Sequence, residues 1–586
     1  MRRCNFLCGL ALAVSLAVPT AVLGLDQGDN EQNAARLTQE LAITEEAAPE
    51  SAFAEVRLAD HLQQSLKGLT SRDPAVSREA RRIWKNVARF YESRGYHPAW
   101  GDNDGGFALA PDLFAKVREA ADHALDPGHY NVDELETAVA EGKNAGPGRW
   151  MELDVHLTHL FMTYAKHLAH GRLDPRDIDT DWYHAQRYMD FAQILEEALA
   201  YGRIGDSLDA VIPKHRGYRE LEQAYRDLRA SMETVWPAVN GSYVVKLGER
   251  EEGLDAVRSF LRVMGDLPAG PDIDPQLMDP QLEEAVYAFQ VRHGIEADGV
   301  VGPETLGQMQ VTLHERLRTM QINLERHRWL GDVIGDRAVV VNIPEYRLRV
   351  IEDGDVLYRM KAITGTDSTQ TPAFADEIEH IEINPNWHVP RSIATGEIVP
   401  KILEDPGYLA SQKISVFDPE GVLVDPDSIA WASLEPGTMG YRFRQAPGSR
   451  NPLGSIKFLF PNRFSVYLHD TNNTPAFNGY RRALSHGCIR IEQPLSLAAF
   501  LLQDDLNWTG FEIAARVKSG KRRWIDLSTT MPIYVVYFTA FVEDGRISFR
   551  RDIYGRDEML DVALAIYESP GLTVDRYVAE ISSQMN

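Results

Sequence analysis

The chain has 586 residues, which is long enough for three or four domains, and its hydrophobic content of 44% is ordinary for globular protein. Its formal net charge is −25, from 61 Lys and Arg against 86 Asp and Glu. This acidic balance argues against nucleic acid as a partner, because binding to phosphates needs a basic surface.

The N-terminus has the pattern of an export signal. Arg2 and Arg3 precede an apolar run over residues 6–18, and small residues follow it. We therefore predict a signal peptide over residues 1–24 and a periplasmic location, with an uncleaved membrane anchor as the alternative. Residues 25–52 have no sustained apolar period and are predicted to form a flexible leader.

Residues 53–249 are predicted to form an α-helical scaffold domain. Apolar side chains recur there at three- and four-residue steps, and Pro, Gly and Asp mark the breaks. One helical stretch contains His156, His159, His167 and His170. Because these histidines lack the tight spacing of metal ligands, we interpret them as packing or surface residues.

A small helical unit is predicted over residues 250–312. Asp279-Pro280 begins one helix, Asp298-Gly299 makes a turn, and Pro303 begins the next helix. The segment resembles the peptidoglycan-binding domain family, whose pattern begins at Phe289-Gln290 and runs through His293-Gly294-Ile295 and Asp298-Gly299 to Thr305-Leu306. The resemblance implies a wall-binding unit. A structural spacer is the alternative, because the matched residues are mostly those that build the fold.

The pattern changes after this unit. Residues 313–336 are predicted to form a basic amphipathic helix that connects it to the next domain. Strand patterns begin at Ala338, and we predict a mostly-β domain over residues 337–525. Residues 526–586 are predicted to add a β-hairpin and a helix. The fold class predicted for the chain is therefore multidomain α+β.

Cys488 would be the single cysteine of the exported chain, because the other two lie in the predicted signal peptide. Structural cysteines in an oxidising compartment come in pairs, so a single one indicates reactive chemistry or a link to another chain. The neighbours favour chemistry. Gly487 permits close approach of a ligand, and His486 and Arg490 are expected to make the surroundings electropositive and favour thiolate.

A nucleophilic thiol needs a neighbouring base, because the pKa of a free thiol is ~8.5. His486 lies only two residues from Cys488 but is not predicted to act as its base. His469 ends a strand-like segment 19 residues earlier and can return to the thiol through a loop, so we predict it as the base. Backbone N–H groups around Gly487 and Cys488 are predicted to bind an oxyanion, which describes acyl transfer through a thioester.

Residues 338–525 resemble the L,D-transpeptidase (YkuD-like) catalytic domain, whose motif is a His followed after some eighteen residues by S-H-G-C-[IV]-R. The order of helical scaffold, peptidoglycan-binding domain and catalytic domain matches the large periplasmic subclass. Further segments carry the resemblance: Thr371-Pro372, Asn384-Pro385-Asn386-Trp387, Val389-Pro390, Pro447-Gly448, Asn451-Pro452-Leu453-Gly454, Lys457-Phe458 and Tyr467-Leu468-His469-Asp470-Thr471.

The resemblance implies a reaction. Cys488 attacks the carbonyl between the third and fourth residues of a peptidoglycan stem tetrapeptide, D-Ala leaves, and a thioester forms. The side-chain amine of diaminopimelate on a second stem then forms a 3→3 cross-link. No cofactor is predicted, carbapenems are expected to acylate Cys488, and the implied role is cell-wall biogenesis and cell shape. Other cell-wall synthesis enzymes are further candidate partners.

The resemblance also implies roles for the surrounding residues. His469 activates Cys488 and shuttles protons. Arg490 is expected to brace the catalytic loop, because the residue two after a nucleophile often points into the protein. The predicted loop and oxyanion residues are Ser485, His486, Gly487 and Arg490, and the predicted substrate-binding residues are Tyr467, Trp387 and Lys457.

Residues 391–454 are long for a connection between strands and are interpreted as the substrate-capping subdomain of the large subclass. A mobile lid there would exclude water and favour transfer over hydrolysis. A static insertion is the alternative.

Other functions stay open at this point. A zinc metallopeptidase would use His469, His486 and Cys488, but their ligand spacing is poor and a carboxylate partner is missing. A non-catalytic wall-binding scaffold predicts a degenerate Cys/His pair, whereas both residues are present. Within the transpeptidase chemistry the thioester can also pass to water (carboxypeptidase), to a free D-amino acid (exchange) or to a lipoprotein lysine (anchoring). The multidomain layout favours cross-linking.

Overall fold

The computed structural model describes residues 60, 63–64 and 78–568, apart from 102–105, 143–146, 180–181, 185–186, 234–235, 332–333, 435–439 and 506. The predicted signal peptide and leader lie outside the described residues, as does the end of the chain after residue 568. No helix among the described residues has the length and apolar character needed to cross a membrane.

The N-terminal part of the described chain is α-helical, as predicted. Its helices are α1 (Arg78–Ser93), α2 (Ala110–Arg118), α3 (Val132–Glu141), α4 (Pro147–His170), α5 (Pro175–Ile178), α6 (Phe191–Tyr201), α7 (Ile204–Val211) and α8 (Arg216–Ala230). Apolar side chains of α1, α2, α4, α6 and α7 share one core. Two of the α4 histidines pack there: His159 stacks on Trp84 at 4.2 Å between ring centroids, and His167 contacts the Tyr130 hydroxyl at 2.9 Å.

The small unit has three helices: α9 (Leu254–Val263), α10 (Pro280–His293) and α11 (Pro303–Met309). Helices α10 and α11 begin at the prolines predicted from sequence, and the Asp279 carboxylate accepts a hydrogen bond from the Leu282 N–H at 2.8 Å. Gln290 is buried and joins α10 to the following turn, since its side chain donates to Val300 O and Thr305 Oγ1 and accepts from Gly299 N–H.

Helix α12 (Leu313–Leu330) is more than a connector. The sequence predicts a basic amphipathic helix, yet basic residues such as Arg316 and Arg328 are buried. Aromatic rings and carboxylates compensate for that burial: the Arg328 guanidinium lies 5.6 Å from the Tyr218 ring centroid and 3.5 Å from Glu325. The helix packs against the scaffold helices α4 and α8 and against the C-terminal segment.

Within the described residues, sixteen strands follow the helices or lie between them. They are β1 (Trp182–Tyr183), β2 (Ala338–Asn342), β3 (Arg347–Glu352), β4 (Asp355–Gly365), β5 (Ala373–Ile383), β6 (Trp387–His388), β7 (Ile414–Phe417), β8 (Leu423–Val424), β9 (Arg442–Gln445), β10 (Ile456–Leu459), β11 (Leu468–His469), β12 (Ala483–Ser485), β13 (Ile489–Ile491), β14 (Arg523–Val536), β15 (Ala540–Glu543) and β16 (Arg546–Phe549).

Eight of these strands form a closed ring. The order is β5-β10-β11-β13-β4-β3-β2-β14, and β14 pairs again with β5, so that the sheet has no free edge within this ring. Apolar side chains from the strands and from α16 (Pro494–Leu501) and α17 (Gly510–Lys518) fill the core beside it. Strand β1 of the scaffold adds to β5 in parallel, with Trp182 beside Ala373.

The C-terminal segment belongs to this architecture. The predicted domain boundary at residue 525 falls inside β14, which pairs with both β2 and β5 and completes the ring. After β14 the chain forms the β15–β16 hairpin and then α18 (Arg556–Glu568). A strand that closes a sheet is indistinguishable by its own alternation from a strand of an appended hairpin, which is why the sequence placed the boundary there.

Residues 391–454 form a separate layer with its own apolar core. Strands β6, β9, β7 and β8 make a four-stranded sheet, next to α13 (Arg391–Ile393), a π-helical turn (Ala394–Ile398), α14 (Val399–Glu404) and α15 (Tyr408–Gln412). Ile398, Ile402, Val416 and Phe443 lie in this core. We call this layer the cap; its role in covering substrate stays a prediction.

Candidate active site

The thiol of Cys488 lies in the short turn between β12 and β13. It is half-buried, and it is the free cysteine of the described residues. Strand β13 pairs in parallel with β11, with Leu468 beside Ile489 and His469 beside Arg490. This register brings His469 beside the strand that Cys488 immediately precedes, although the two residues are 19 positions apart in sequence.

Strand alternation sorts the side chains into two faces. Leu468 and Ile489 point into the apolar core, so their neighbours on each strand point to the other face. Tyr467 and His469 therefore share that face with Cys488. Strand β10 extends the row, because Lys457 is in register with His469.

A backbone contact fixes the tautomer of His469. Its Nδ1 hydrogen-bonds with the backbone carbonyl of Asp470. A carbonyl only accepts, so Nδ1 carries the proton and Nε2 keeps its lone pair in the neutral ring. Burial, reinforced by the nearby charge of Arg490, lowers the pKa of His469 to about 3, so the imidazole is neutral at neutral pH.

Asp470, the residue after His469, is held by the turn that precedes β10. The Asp470 carboxylate accepts hydrogen bonds from Ser455 N–H at 2.8 Å, from Ser455 Oγ at 2.6 Å and from Thr471 N–H at 2.7 Å. Gly454 has a φ of +62°, and a Cβ there would lie 2.4 Å from Asp470 Cγ. The Asn-Pro-Leu-Gly segment noted in the sequence thus packs directly against Asp470, the residue after His469.

The thiol environment differs from the expectation. Burial raises the pKa of Cys488 above its ordinary value, while hydrogen bonding by Tyr467 and the charges of Lys457 and Arg490 act in the opposite direction without cancelling it. The thiol is therefore predominantly protonated at neutral pH. The electropositive neighbours are present, but desolvation of the thiolate outweighs them.

Ser485 and Gly487 form hydrogen bonds within the turn. Ser485 Oγ donates to Cys488 O at 2.5 Å and accepts from Gly487 N–H at 3.2 Å. Gly487 has a φ of +105°, a region that L side chains rarely adopt. Of the two N–H groups predicted to bind an oxyanion, that of Gly487 is already used, and no described residue accepts a hydrogen bond from that of Cys488.

The other predicted residues fall in different places. His486 is half exposed and points to the cap, where its Nε2 lies 2.9 Å from Glu397 Oε1. Trp387 lies in β6 at the base of the cap, in register with Gln445, and not on the strands that carry Cys488 and His469. No three His, Cys, Asp or Glu side chains of the described residues are grouped as metal ligands would be.

The side chains of Tyr467, Lys457 and Arg490 act to lower the pKa of the Cys488 thiol. The Lys457 ammonium lies 3.7 Å from the centroid of the Tyr467 ring, and burial lowers the pKa of Lys457. Arg490 was expected to brace the loop, yet no described residue accepts a hydrogen bond from its guanidinium, and its Nε is buried without a partner. Burial lowers the pKa of Arg490 as well.

Sequence reasoning missed the residues that support the catalytic turn from behind. Thr371 was noted only as part of a motif, and its Oγ1 donates to Gly487 O at 2.8 Å. Tyr554 lies in the C-terminal segment, and its hydroxyl hydrogen-bonds with Thr371 N–H and Gly365 O. No local pattern around Tyr554 points to this contact, because it depends on how the C-terminal segment folds back.

Three family models match separate parts of the chain. The L,D-transpeptidase catalytic domain matches residues 336–519, the Scaffold domain matches residues 85–224, and a model described as "Putative peptidoglycan binding domain" matches residues 250–309. The first of these contains Cys488, His469 and the cap.

Individual proteins are also similar. A Haemophilus influenzae protein named "Putative L,D-transpeptidase" is 35% identical over 244 residues, which cover 42% of this chain and 49% of that protein. The chain thus spans about half the length of this curated relative. The solved Ldtfm-avibactam carbamoyl enzyme is 15% identical with a TM-score of 0.19, over 35% of this chain and 51% of that chain. A Xylanimonas cellulosilytica L,D-transpeptidase structure is 13% identical with a TM-score of 0.16, over 51% of this chain and 99% of that chain.

The domain matches agree in order and position with the helical part, the small helical unit and the β-rich part of the fold. The chain therefore carries an L,D-transpeptidase catalytic domain, which holds Cys488 and His469, together with a scaffold domain and a peptidoglycan-binding domain.

Proposed function

We propose that this protein forms 3→3 cross-links between peptidoglycan stem peptides through a thioester on Cys488. The observation that carries the proposal is the pairing of β11 with β13: Cys488 immediately precedes β13, and strand alternation gives its side chain the same face as that of His469. A thiol, a neutral imidazole with a free Nε2 and an unused backbone N–H are the three groups that acyl transfer needs.

The first half-reaction uses these groups in order. As Cys488 Sγ attacks the carbonyl of the third stem residue, His469 Nε2 takes the thiol proton. The Cys488 N–H donates to the oxyanion of the tetrahedral intermediate. The bond to the fourth residue then breaks, and His469 gives its proton to the departing amine of D-Ala. A thioester remains, and the base is neutral again.

The second half-reaction reverses the roles. The side-chain amine of diaminopimelate on a second stem attacks the thioester, and His469 accepts a proton from that amine. Collapse of the intermediate forms the new amide and expels the Cys488 thiolate, which takes the proton back. The Cys488 thiol and the His469 imidazole are neutral before the first half-reaction and after the second. One proton therefore passes through His469 in each half-reaction, and no external acid is needed.

Cations near the thiol fit the charge of the donor peptide. The stem tetrapeptide ends in a D-Ala carboxylate one residue beyond the attacked carbonyl. The Arg490 guanidinium lacks a hydrogen-bonded partner among the described residues, and Lys457 lies on the same face two strands away, on β10. We assign binding of that carboxylate to these two residues, with Tyr467 lining the pocket between them and the thiol.

The remaining domains are assigned supporting roles. The cap contacts the catalytic turn through Glu397 and His486, and a lid at that place limits access of water to the thioester. The peptidoglycan-binding domain is assigned to hold the polymer near the site. A wall polymer as substrate requires a periplasmic or extracellular location, which agrees with the predicted export signal.

The proposal is tested with purified disaccharide-tetrapeptide and mass spectrometry of the products. We expect a dimer whose fragmentation shows a 3→3 linkage, and none with Cys488→Ala at unchanged thermal stability. Carbapenem should add its intact mass to the peptide that contains Cys488. His469→Ala should lower the acylation rate by about 10²-fold or more at neutral pH, within the range for a positioned acid–base group.

The product pattern also separates the alternatives. Tripeptide without dimer indicates that water is the acceptor, and exchange of the terminal D-Ala for a labelled D-amino acid indicates exchange. Transfer to a lysine-containing lipoprotein peptide indicates anchoring. Turnover retained in Cys488→Ala would refute the thioester mechanism itself.

A further inference from the structure

The carbonyl of Gly487 is fixed by a buried threonine. Thr371 is fully buried, and its Oγ1 donates to Gly487 O at 2.8 Å while accepting from Gly365 N–H at 2.9 Å. Thr369 Oγ1 holds the same turn by donating to Ser485 O at 2.9 Å. The loop from Thr366 to Thr371 therefore lies behind the catalytic turn and contacts two of its carbonyls.

This contact sets the direction of the next N–H. In a trans peptide the carbonyl of one residue and the N–H of the next point in opposite directions. Because Gly487 O points to the buried Thr371, the Cys488 N–H points away from it, toward the open side of the turn. The positive φ of Gly487 permits this orientation without a Cβ penalty.

The threonine loop is in turn held by the C-terminal segment. The Tyr554 hydroxyl donates to Gly365 O at 2.6 Å and accepts from Thr371 N–H at 3.3 Å. Arg556 Nη2 donates to Thr371 O at 3.2 Å, and its Nη1 lies 3.3 Å from the scaffold carboxylate of Asp179. Thr371 is thus fixed at its N–H, its carbonyl and its side chain.

Close packing leaves this loop little freedom. A Cβ on Gly365 would lie 2.0 Å from Thr369 O and 2.9 Å from Thr371 N. The Tyr554 ring stacks on Tyr537 at 5.7 Å between centroids, and the Tyr554 N–H donates to the Tyr537 hydroxyl at 2.9 Å. The ring, the hydroxyl and the backbone N–H of Tyr554 are therefore all held by neighbouring groups.

We propose that Thr371 and Tyr554 are positioning residues that orient the Cys488 N–H as the oxyanion donor. The nominal catalytic-domain match ends at residue 519, so Tyr554 extends the machinery into the C-terminal segment. The inference rests on the proposed function for its physiological acyl donor, but the orientation of the donor can be measured with any acyl group.

The test compares two reactions of the same thiol in the full-length protein. Acetylation by p-nitrophenyl acetate passes through a tetrahedral oxyanion, whereas alkylation by iodoacetamide displaces iodide without one. Both adducts on Cys488 are quantified by peptide mass spectrometry. The variants are Thr371→Val, which removes the hydroxyl at similar shape, Thr371→Ser, which restores it, and Tyr554→Phe, which keeps the ring.

We expect Thr371→Val and Tyr554→Phe to lower the acetylation rate by about tenfold or more, part of the about 10²–10³-fold loss seen when an oxyanion donor is removed. Alkylation should stay within about twofold of the wild-type rate, because the thiol itself is untouched. Thr371→Ser should recover most of the acetylation rate. Tyr164→Phe is the matched control, since it removes a hydroxyl that donates to the Lys116 carbonyl at 3.0 Å, far from the site.

Two results would overturn the inference. Unchanged acetylation in both Thr371→Val and Tyr554→Phe would show that the donor does not depend on them. A parallel fall of acetylation and alkylation would show that these residues maintain the thiol or the fold instead. Neither result bears on cross-linking, which the tetrapeptide assay measures separately.

Discussion

Alkylation of Cys488 as a function of pH gives a direct measure of its resting charge. Burial raises the pKa of the thiol, and burial lowers the pKa of His469 to about 3. Between these values both groups are neutral. We therefore expect the resting enzyme to hold a thiol and an imidazole, not a preformed thiolate–imidazolium pair.

The size of the effect follows from these shifts. A thiol of ordinary pKa, ~8.5, is about 3% thiolate at pH 7, and a raised pKa makes the fraction smaller. The iodoacetamide rate at Cys488 should thus rise about tenfold per pH unit from pH 6 to pH 8, because only the thiolate reacts. Lys457→Met removes a charge that opposes the rise in pKa, so it should shift the whole profile to higher pH.

His469→Ala provides the discriminating variant. A neutral imidazole places no charge beside the thiol, so the alkylation profile should stay within about twofold, even though acylation by substrate falls about 10²-fold or more. A plateau in the wild-type rate between pH 5 and pH 8, abolished in His469→Ala, would refute this reasoning and would indicate an ion pair.

Two further predictions concern residues that support the fold around the site. Gly454→Ala should destabilise the protein by about 1–2 kcal/mol because of the left-handed φ alone, as measured by thermal unfolding. It should also slow acetylation of Cys488, because the new Cβ displaces Asp470 next to His469. An unchanged acetylation rate would show that the position of Asp470 does not affect His469. Gln290→Ala leaves several buried partners in the small domain unpaired, so we expect a loss of about 3 kcal/mol in denaturant unfolding, whereas exposed Gln223→Ala should change stability by less than about 0.5 kcal/mol.

The sequence predicted the features that depend on neighbouring residues. The caps and prolines that begin α10 and α11 act within one turn, so Asp279 and Pro303 marked those helices correctly. The turn from Ser485 to Cys488 is likewise local, since Ser485 Oγ contacts the backbone only two and three residues away. Contacts of this kind depend only on residues within the segment, so the local sequence is enough to predict them.

The features that depend on distant partners were not predictable. The basic residues of α12 indicated a solvent face, because nothing near Arg328 in sequence indicates its distant partner Tyr218. Strand β14 and Tyr554 follow the same rule, since each acquires its role from elements far back along the chain. Alternation and charge report a residue's preference for a face, but not which element will cover that face.

The protonation of Cys488 shows why this difference matters for mechanism. His486, Arg490 and the thiol are adjacent in sequence, which favours a thiolate, yet His486 turns to the cap and burial outweighs the charge of Arg490. In the proposed mechanism, a thiol that is neutral at rest gains its nucleophilicity only as His469 removes the proton. The negative charge then develops on the oxyanion of the tetrahedral intermediate, which we assign to the Cys488 N–H. On this mechanism, rate acceleration depends less on the electropositive neighbours than on how rigidly Thr371 and the closed ring hold that N–H in place.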